Sequence, residues 1–414
     1  MKSRRLILLE FLSNKLHMAA NNFDFGVIGA GIVGLAMANR IRQIHPNASI
    51  AVFDKESSVG EHASGRNSGV MHAGFYYSPD SLKAALTRDG NQLLRDFCRE
   101  ENIRVKEAGK VVVAQNPSEV AALKELHRRG NANGVVTELV TPDRLAELEP
   151  LAKTSELALW SPKTAVANPL EVTQALADKV VREGTTLKLG HEVLRTTPNR
   201  IITNLGNYSI GHIVNCAGLY ADKVAKPFGY CDDYAMLPFK GLYWYGNWAP
   251  GKLQRHVYPV PDVRNPFLGV HLTVTIDGRA KIGPTAIPIF SRESYGGIGG
   301  LSPKEILNIV GIYPKFLTSK HHDVLGLIKS EMPKYLQRHL VTQAKALVPS
   351  VDPKDFKERG KPGIRAQLLD IKNKKLEMDF VVRGDENSTH LLNAVSPAWT
   401  SALAMANHVC KKFD

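Results

Sequence analysis

The fold of this chain is decided by the stretch Asp24-Phe-Gly-Val-Ile-Gly29-Ala-Gly31-Ile-Val-Gly34-Leu-Ala, which is followed by Ile50-Ala-Val-Phe-Asp54-Lys55. A short apolar strand leads into glycines, a helix of small and apolar residues follows, and an acid ends the next strand. In this pattern Gly29 permits a tight turn, Gly31 leaves room for a pyrophosphate at the helix N-terminus, and Gly34 lets helix and strand pack closely. The sequence therefore predicts a Rossmann-like βαβ unit that binds a dinucleotide, with Asp54 on a ribose and Lys55 beside it.

The identity of the dinucleotide stays open at this point, because FAD and NAD both present an ADP half to the same βαβ unit. A second segment, residues 60–77, is rich in small and hydroxyl residues and offers many hydrogen-bond donors in little space. Such a run suits a second approach to a pyrophosphate and a flat ring. On composition alone it is equally typical of a surface loop.

Two later segments are also candidates for contact with a ligand. Residues 211–218 read as an apolar strand that ends in Ala217-Gly218, where the backbone can approach a ligand closely. Near the C-terminus a strand runs into Ser396-Pro397, which predicts a helix capped by Ser396 with proline just inside it. A helix N-terminus stabilises negative charge, as on a reduced flavin, although Ser-Pro helix starts are common without any ligand.

Taken together, these motifs resemble the D-amino acid oxidase superfamily of FAD enzymes. The resemblance is carried by the glycine fingerprint, the loop Ala63-Ser-Gly-Arg-Asn-Ser-Gly69, Asn215-Cys-Ala-Gly218, Pro238-Phe-Lys-Gly241 and the segment from Asn393 to Ser401. Residues 65–77, 257–273 and 282–286 are similar, more specifically, to the L-2-hydroxyglutarate dehydrogenases and oxidases within it. The resemblance implies FAD as cofactor and oxidation of L-2-hydroxyglutarate to 2-oxoglutarate. The alternatives are an enzyme of the superfamily that acts on an amino acid or glycerol 3-phosphate, and a non-catalytic or tRNA-modifying flavoprotein.

The expected fold is α/β, with a Rossmann-like FAD-binding domain and a substrate domain built on an antiparallel β-sheet. The FAD-binding domain is expected to be discontinuous, comprising residues 23–98, 159–226 and 362–414. The substrate-binding domain comprises residues 99–158 and 227–361, and residues 1–22 form an N-terminal extension. The residues expected to bind FAD are Gly29, Gly31, Gly34, Asp54, Lys55, Ser64, Arg66, Asn67, Ser68, Val193, Ala217, Gly218, Ser396, Pro397, Thr400 and Ser401.

The implied reaction requires an anchor for the substrate carboxylate, for which arginine is suited by its bidentate guanidinium. In amino-acid-oxidising relatives a Gly-x-Arg motif carries this anchor, and Gly363-Ile-Arg365 stands at the matching place. The relatives usually continue with proline, whereas Ala366 follows here. Arg365 is therefore the expected anchor, and a surface arginine of a basic chain is the alternative.

The reaction also requires a base for the hydroxyl proton, and histidine suits this role because its pKa lies near the working pH. His271 lies in the segment with the most specific resemblance and ranks first as base. His72 is expected near the flavin ring. For each, a buried structural histidine is the alternative. Lys240 and Tyr258 are candidate partners of the second carboxylate of a dicarboxylate substrate.

Composition adds limits to this interpretation. The chain has 414 residues, 43% of them apolar, and no apolar run of eighteen, which argues against a membrane span. Its four cysteines form no C-x-x-C pair, so neither a disulfide scaffold nor a redox dithiol is expected, which fits a reducing compartment, and no metal site is expected. The net charge of +13 is compatible with an acidic substrate or an anionic membrane. Nucleic-acid binding is not expected, because the basic residues are scattered and no RNA-binding motif accompanies them.

Residues 302–347 read as a helical stretch with many lysines. A solvated helix face is the favoured interpretation, and a peripheral membrane-docking face that serves a quinone acceptor is the alternative. Oxygen is the other candidate acceptor. The expected location is the cytoplasm, including the periphery of the inner membrane, or mitochondria in a eukaryote. Residues 1–22 make a poor secretory signal and read as a presequence or as an extension before Met18.

Overall fold

The computed structural model describes residues 21–261, 267–296 and 303–413. Most of the expected N-terminal extension, residues 262–266 of the segment 257–273, and Ser302 lie outside the described residues. The described α-helices are α1 (Ile32–Ile44), α2 (Leu82–Glu100), α3 (Val120–Ala132), α4 (Pro142–Leu148), α5 (Pro169–Arg182), α6 (Ala221–Ala225), α7 (Pro303–Val310), α8 (Tyr313–Leu317), α9 (Val324–Glu331), α10 (Gln337–Leu347) and α11 (Ala398–Val409).

The described strands form four sheets. In chain order they are β1 (Asn22–Ile28), β2 (Ile50–Phe53), β3 (Val70–Met71), β4 (Lys110–Val113), β5 (Glu138–Val140), β6 (Ala158–Ser161), β7 (Ala165–Val166), β8 (Thr186–Lys188), β9 (Val193–Thr197), β10 (Arg200–Thr203), β11 (Gly206–Asn215), β12 (Tyr234–Gly241), β13 (Trp244–Tyr245), β14 (His256–Pro259), β15 (His271–Val274), β16 (Ala280–Gly283), β17 (Ile287–Pro288), β18 (Glu358–Arg359), β19 (Gly363–Asp370), β20 (Lys375–Leu376), β21 (Val382–Gly384) and β22 (Ser388–Leu391).

The first sheet contains the predicted βαβ unit. Its order is β21-β22-β11-β1-β2-β8, and β10 and β9 extend it from β11 by antiparallel pairing. β1 lies between β11 and β2 and is parallel to both. β2 is buried along its whole length, as expected for a parallel strand covered on both faces. Helix α1 packs between α5 and α11, so the fingerprint glycines are held at the carboxyl end of a central strand.

The remaining strands form one antiparallel sheet, one mixed sheet and the short pair β3-β7. The antiparallel sheet has the order β17-β12-β19-β20. The mixed sheet has the order β18-β13-β16-β15-β14-β4-β6-β5, in which β14 and β4 run parallel. The α/β fold class is confirmed, with the refinement that two sheets, one of them with a parallel pair, replace the single antiparallel sheet. The domain boundaries stay a prediction, and the pairing of β12 with β19 crosses the one drawn at residue 362.

The prediction of one helical stretch over residues 302–347 is wrong in its continuity. The described part consists of α7, α8, α9, a 3-10 turn over Met332–Tyr335, and α10. Proline has no N–H to continue a helix, and Pro314 and Pro333 each stand in the first turn of a new segment. Within the described ranges, no helix combines the length and the apolar character needed to cross a bilayer.

Candidate active site

A cavity of about 630 Å³ connects the fingerprint with the predicted catalytic residues. One end is lined by Gly29, Gly31 and Asp54 from the first sheet. The other end is lined by His271 from the mixed sheet and Arg365 from the antiparallel sheet. The cavity therefore lies where the sheets meet, and it joins the two groups of residues that the sequence singled out.

At each fingerprint glycine a side chain would either clash with nearby backbone or fill open space in the cavity. Gly29 has a φ of +109°, and a side-chain carbon there would lie 2.4 Å from the carbonyl oxygen of Cys216. At Gly34 such a carbon would lie 2.0 Å from the carbonyl oxygen of Gly29, so this glycine serves the helix–strand contact. At Gly31 it would meet only Ser64, with Oγ at 2.8 Å. Gly31 thus presents a bare backbone to the cavity.

Asp54 and Ser64 accept hydrogen bonds from the backbone around Gly31 and hold it in place. Oδ2 of Asp54 accepts a hydrogen bond from the Ala30 N–H at 2.7 Å, and Oδ1 accepts one from the Glu56 N–H at 2.9 Å. Burial raises the pKa of the Asp54 carboxyl, and these backbone hydrogen bonds partly oppose the rise. The Ile32 N–H at the start of α1 donates to Oγ of Ser64 at 3.0 Å. Both side chains line the cavity at the predicted place.

The loop after Asp54 is held by ion pairs. The Lys55 ammonium contacts Glu56 and lies 2.8 Å from Oε1 of Glu293. The guanidinium of Arg66 lies 4.3 Å from the ring centre of Tyr295. Ligand atoms of Glu56, His62 and Glu293 lie within 4.8 Å of one another, but the Lys55 ammonium already binds both carboxylates.

At the C-terminal segment the structure corrects one prediction. Ser396 does not cap the helix, and Pro397 precedes α11 instead of lying inside it. The backbone of Pro397 has φ −98° and ψ 35°, which is outside the helical region, so the helix begins at Ala398. Oγ1 of Thr400 donates to the Val70 carbonyl and accepts from the His72 N–H, each at 3.2 Å. This side chain ties the helix to the loop that carries His72.

Most of the predicted site residues meet at the cavity wall, and three do not. Gly34 lies in the contact between helix and strand, Ser401 is fully buried with its hydroxyl 3.3 Å from that of Thr87, and Lys240 lies behind the wall. Phe239 and Gly241 line the cavity, so the alternation of β12 turns Lys240 away from it. The predicted residues at the wall are Gly29, Gly31, Asp54, Lys55, Ser64, Arg66, Asn67, Ser68, His72, Val193, Ala217, Gly218, Tyr258, His271, Arg365, Ser396, Pro397 and Thr400.

His271 is buried in β15 and is held by two contacts. Its Nδ1 lies 2.8 Å from the carbonyl oxygen of Gly269, and its ring stacks on that of Tyr258 with the centres 3.8 Å apart. A carbonyl oxygen can only accept, so Nδ1 carries the proton and Nε2 keeps its lone pair. Burial lowers the pKa of His271 to about 3, so the ring is neutral at neutral pH, but the expectation that its pKa lies near the working pH is wrong.

His72 faces the same cavity from the loop after β3. Its Nδ1 lies 3.3 Å from Nζ of Lys110, the first residue of β4, whose side chain is completely buried. Burial lowers the pKa of His72 well below its usual value and lowers that of Lys110 to about 7. The ammonium also lies 4.1 Å from the centre of the Tyr258 ring, the ring on which His271 stacks.

Arg365 lies on β19, with its guanidinium 4.7 Å from the ring centre of Phe267. Lys281 is a second buried lysine near this end of the cavity, 4.7 Å from the ring centre of Tyr243, and burial lowers its pKa to about 8. Within the described ranges, none of Lys110, Lys281 and Arg365 forms an ion pair. This end of the cavity therefore holds buried basic side chains that form no ion pair, although Glu331 and Asp277 lie near enough to raise the pKa of Arg365 and Lys281 respectively.

A family model described as an FAD-dependent oxidoreductase, DAO, matches residues 24–412. The chain belongs to the DAO family of FAD-dependent oxidoreductases. The L-2-hydroxyglutarate dehydrogenase of Indibacter alkaliphilus is 37% identical over 94% of this chain and 98% of that protein. The enzyme of the same name from Escherichia coli K12 is 33% identical over 94% of this chain and 93% of that protein. The mitochondrial one from Bos taurus is 33% identical over 94% and 88%.

Solved structures confirm the DAO fold. The FAD-bound L-α-glycerophosphate oxidase of Mycoplasma pneumoniae aligns with a TM-score of 0.73 at 21% identity, covering 94% of each chain. Glycine oxidase of Geobacillus kaustophilus aligns with a TM-score of 0.70 at 17% identity, again over 94% of each. The family confirms the predicted cofactor, FAD, and the predicted class of enzyme.

The cavity fits the FAD of a DAO-family enzyme on its own geometry. The bare backbone at Gly31 would take the pyrophosphate, Asp54 the ribose, and the walls near Thr400 and His72 the ring. The individual contacts stay a prediction.

Sequence reasoning missed Lys110 and Lys281. The strand Lys110-Val-Val-Val113 held a signal, because a lysine beside β-branched residues in a short buried strand has no solvated face available.

Proposed function

We propose that this chain oxidises L-2-hydroxyglutarate to 2-oxoglutarate. The observation that carries the proposal is a set of buried basic side chains without ion pairs at the catalytic end: Arg365 lines the cavity, and Lys110 and Lys281 lie behind its wall. A buried charge without a partner is costly, and a dianionic ligand would offset that cost. The similarity to three L-2-hydroxyglutarate dehydrogenases over nearly the whole chain supports the same substrate.

We assign Arg365 to the C1 carboxylate and His271 to the hydroxyl proton. Bound FAD would supply the acceptor for the α-hydrogen and its two electrons. As C2–O becomes a carbonyl, the hydroxyl proton passes to Nε2 of His271, whose lone pair is left by the hydrogen bond from Nδ1 to Gly269. The stacked Tyr258 ring, with its centre 3.8 Å from that of His271, fixes the imidazole plane.

The second carboxylate is assigned to the side of the cavity that carries Tyr258. The sequence offered Lys240 as a second partner, but that side chain does not line the cavity, so the proposal rests on Tyr258. Its hydroxyl is a hydrogen-bond donor, and burial raises its pKa, so it stays protonated at neutral pH.

The direct test mixes FAD-loaded protein anaerobically with L-2-hydroxyglutarate, its D-enantiomer, glycerol 3-phosphate and a set of amino acids. We expect bleaching of the visible flavin absorbance by L-2-hydroxyglutarate and release of one 2-oxoglutarate per flavin reduced. Bleaching by another member of the panel alone would replace the proposed substrate. A protein that no member reduces would contradict the proposal.

For the electron acceptor we propose a quinone, reached through peripheral contact with an anionic membrane. Lys304, Lys315, Lys320, Lys329 and Lys345 are exposed on α7–α10 and the loop between α8 and α9. Lys334 is buried and pairs with Glu331, so it does not belong to this face. Exposed large apolar side chains share the region, and such a mixture suits a lipid interface. They are Leu307, Val310, Leu317, Leu325, Met332, Tyr335 and Leu336.

This proposal is tested by sedimentation with vesicles. We expect binding to anionic vesicles at low ionic strength, weakening as salt rises. Leu307→Glu, at a side chain that is 73% exposed, should lose binding, and Leu205→Glu, 63% exposed in the turn between β10 and β11, is the matched control. Equal binding by both variants, or none by the unmodified protein, would leave the solvated-face interpretation. A membrane-bound enzyme of this kind would lie in the cytoplasm or in mitochondria.

A further inference from the structure

We propose that Lys110 is a positioning residue that holds His72 in the tautomer with its proton on Nε2, which makes His72 a hydrogen-bond donor to the substrate. The inference deepens the proposed function and rests on it for the identity of the substrate. Lys110 itself stands behind the cavity wall and acts through His72.

The geometry at Lys110 defines what His72 can do. Nζ of Lys110 lies 3.3 Å from Nδ1 of His72, and the lysine side chain is completely buried. The charged form of Lys110, which prevails below its lowered pKa of about 7, has donors and no acceptor, so Nδ1 of His72 must accept from it. A neutral imidazole with Nδ1 as acceptor carries its proton on Nε2. Because Nε2 is the ring nitrogen left for the cavity, His72 presents a donor there.

His271 is held in the opposite tautomer. Its Nδ1 donates to the Gly269 carbonyl at 2.8 Å, so Nε2 is the acceptor. Within the described ranges, Nε2 of neither histidine has a hydrogen-bond partner, and both residues line the cavity. Burial lowers the pKa of both rings, so both are neutral. The two rings therefore face one cavity as a donor and an acceptor.

This difference divides the work between two residues of the same type. A ring that presents Nε2–H can donate to a carboxylate or to the developing carbonyl oxygen, but it cannot accept the hydroxyl proton there. A ring that presents the Nε2 lone pair can accept it. Lys110 thereby reserves His72 for binding and leaves proton transfer to His271.

The aromatic surroundings favour the charged form of Lys110 on which this argument depends. Nζ lies 4.1 Å from the ring centre of Tyr258, 5.1 Å from that of Tyr76 and 5.6 Å from that of Phe75. Ring faces attract a cation most strongly where water is excluded. A dianionic substrate in the adjoining cavity adds to the preference for the ammonium.

The experiment is nitrogen NMR of the FAD-loaded protein with ¹⁵N-labelled histidine, recorded without substrate at a pH below 7, where the charged form of Lys110 prevails. Assignment uses His72→Gln and His271→Gln to remove one signal each. We expect a protonated Nε2 for His72 and a protonated Nδ1 for His271. Lys110→Met should shift His72 into a mixture of tautomers, Lys110→Arg should restore the single one, and Lys281→Met, at the other buried lysine, should change neither ring. A protonated Nδ1 on His72 in the unmodified protein would overturn the proposal.

Rapid anaerobic reduction adds a kinetic readout. The amide nitrogen of glutamine can donate where Nε2–H did, so His72→Gln should retain far more of the reduction rate than His271→Gln, by on the order of 100-fold. Equal losses in the two variants would contradict the division of roles. If L-2-hydroxyglutarate does not reduce the unmodified protein, the proposed function fails, while the NMR result still decides the tautomers.

Discussion

The two ends of the cavity differ in whether their charged side chains form ion pairs. At the fingerprint end Lys55 contacts Glu56 and Glu293, and the Arg66 side chain lies against Glu61 and Tyr295. At the catalytic end Lys110, Lys281 and Arg365 are without ion pairs among the described residues, and the nearby histidines are neutral.

This difference indicates that the fingerprint end holds the cofactor and that the catalytic end selects the substrate. Paired charges in a half-buried loop keep that loop in one conformation around a cofactor. Unpaired buried cations raise the free energy of the empty site and lower it again when an anion enters. The charge pattern therefore places selection of a dianionic substrate at the catalytic end.

The largest expected effect breaks the fingerprint end. Gly31→Val should abolish FAD retention, because the side chain would occupy the place of the pyrophosphate. The fold should survive, since the added carbon meets only Ser64. The flavin-to-protein absorbance ratio of the purified variant measures this, with Gly296→Val, where no atom lies within 4 Å, as the control. A yellow Gly31→Val protein with full flavin content would contradict the assignment.

The next effect concerns the catalytic end. His271→Ala should slow flavin reduction by on the order of 100-fold or more while changing substrate binding less, because it removes the base. Rapid anaerobic mixing at several substrate concentrations separates the two constants. Should the variant reduce its flavin at the unmodified rate, the hydroxyl proton goes to a group other than His271, and the assignment of His271 as the base is wrong.

A third substitution tests whether Arg365, which has no ion pair among the described residues, binds the substrate. Arg365→Met should raise the apparent substrate constant, since loss of one partner of a buried charge pair costs about 2–5 kcal/mol, or roughly 30-fold or more. Lys240→Met, on the neighbouring strand β12 but off the cavity wall, is the control and should bind substrate normally. Equal constants for Arg365→Met and the unmodified protein would remove Arg365 from the site.

The smallest expected effect concerns the ion pairs at the fingerprint end. Burial raises the pKa of Glu293, but hydrogen bonds from Lys55 and Tyr220 lower it overall. Its contribution to stability is therefore present above the unfolded pKa near 4.5 and is lost as the pH falls through the lowered folded value. Glu293→Gln should cost about 1 kcal/mol at neutral pH and almost nothing in acid. Thermal unfolding at both pH values measures this, and an equal loss at both would contradict the ion-pair account.

The sequence predicted what depends on local spacing and missed what depends on distant packing. The fingerprint, Asp54 and the position of His271 in a strand could be predicted because their signals lie within short segments. The contact of Lys110 with His72 joins residues 38 positions apart, and no local sequence pattern predicts it. Lys240 and Ser401 do not line the cavity, because adjacent residues on a strand or helix point in different directions.

Buried basic side chains at the catalytic end select a dianion, and one comparison of two substrates tests this selection most directly. Flavin reduction is measured anaerobically with L-2-hydroxyglutarate and with L-2-hydroxybutyrate, which lacks the second carboxylate. We expect half-maximal reduction at a much lower concentration of the dicarboxylate than of the monocarboxylate. We expect Lys110→Met and Lys281→Met to reduce the difference between these two concentrations. Equal reduction by both acids at equal concentrations would contradict the account.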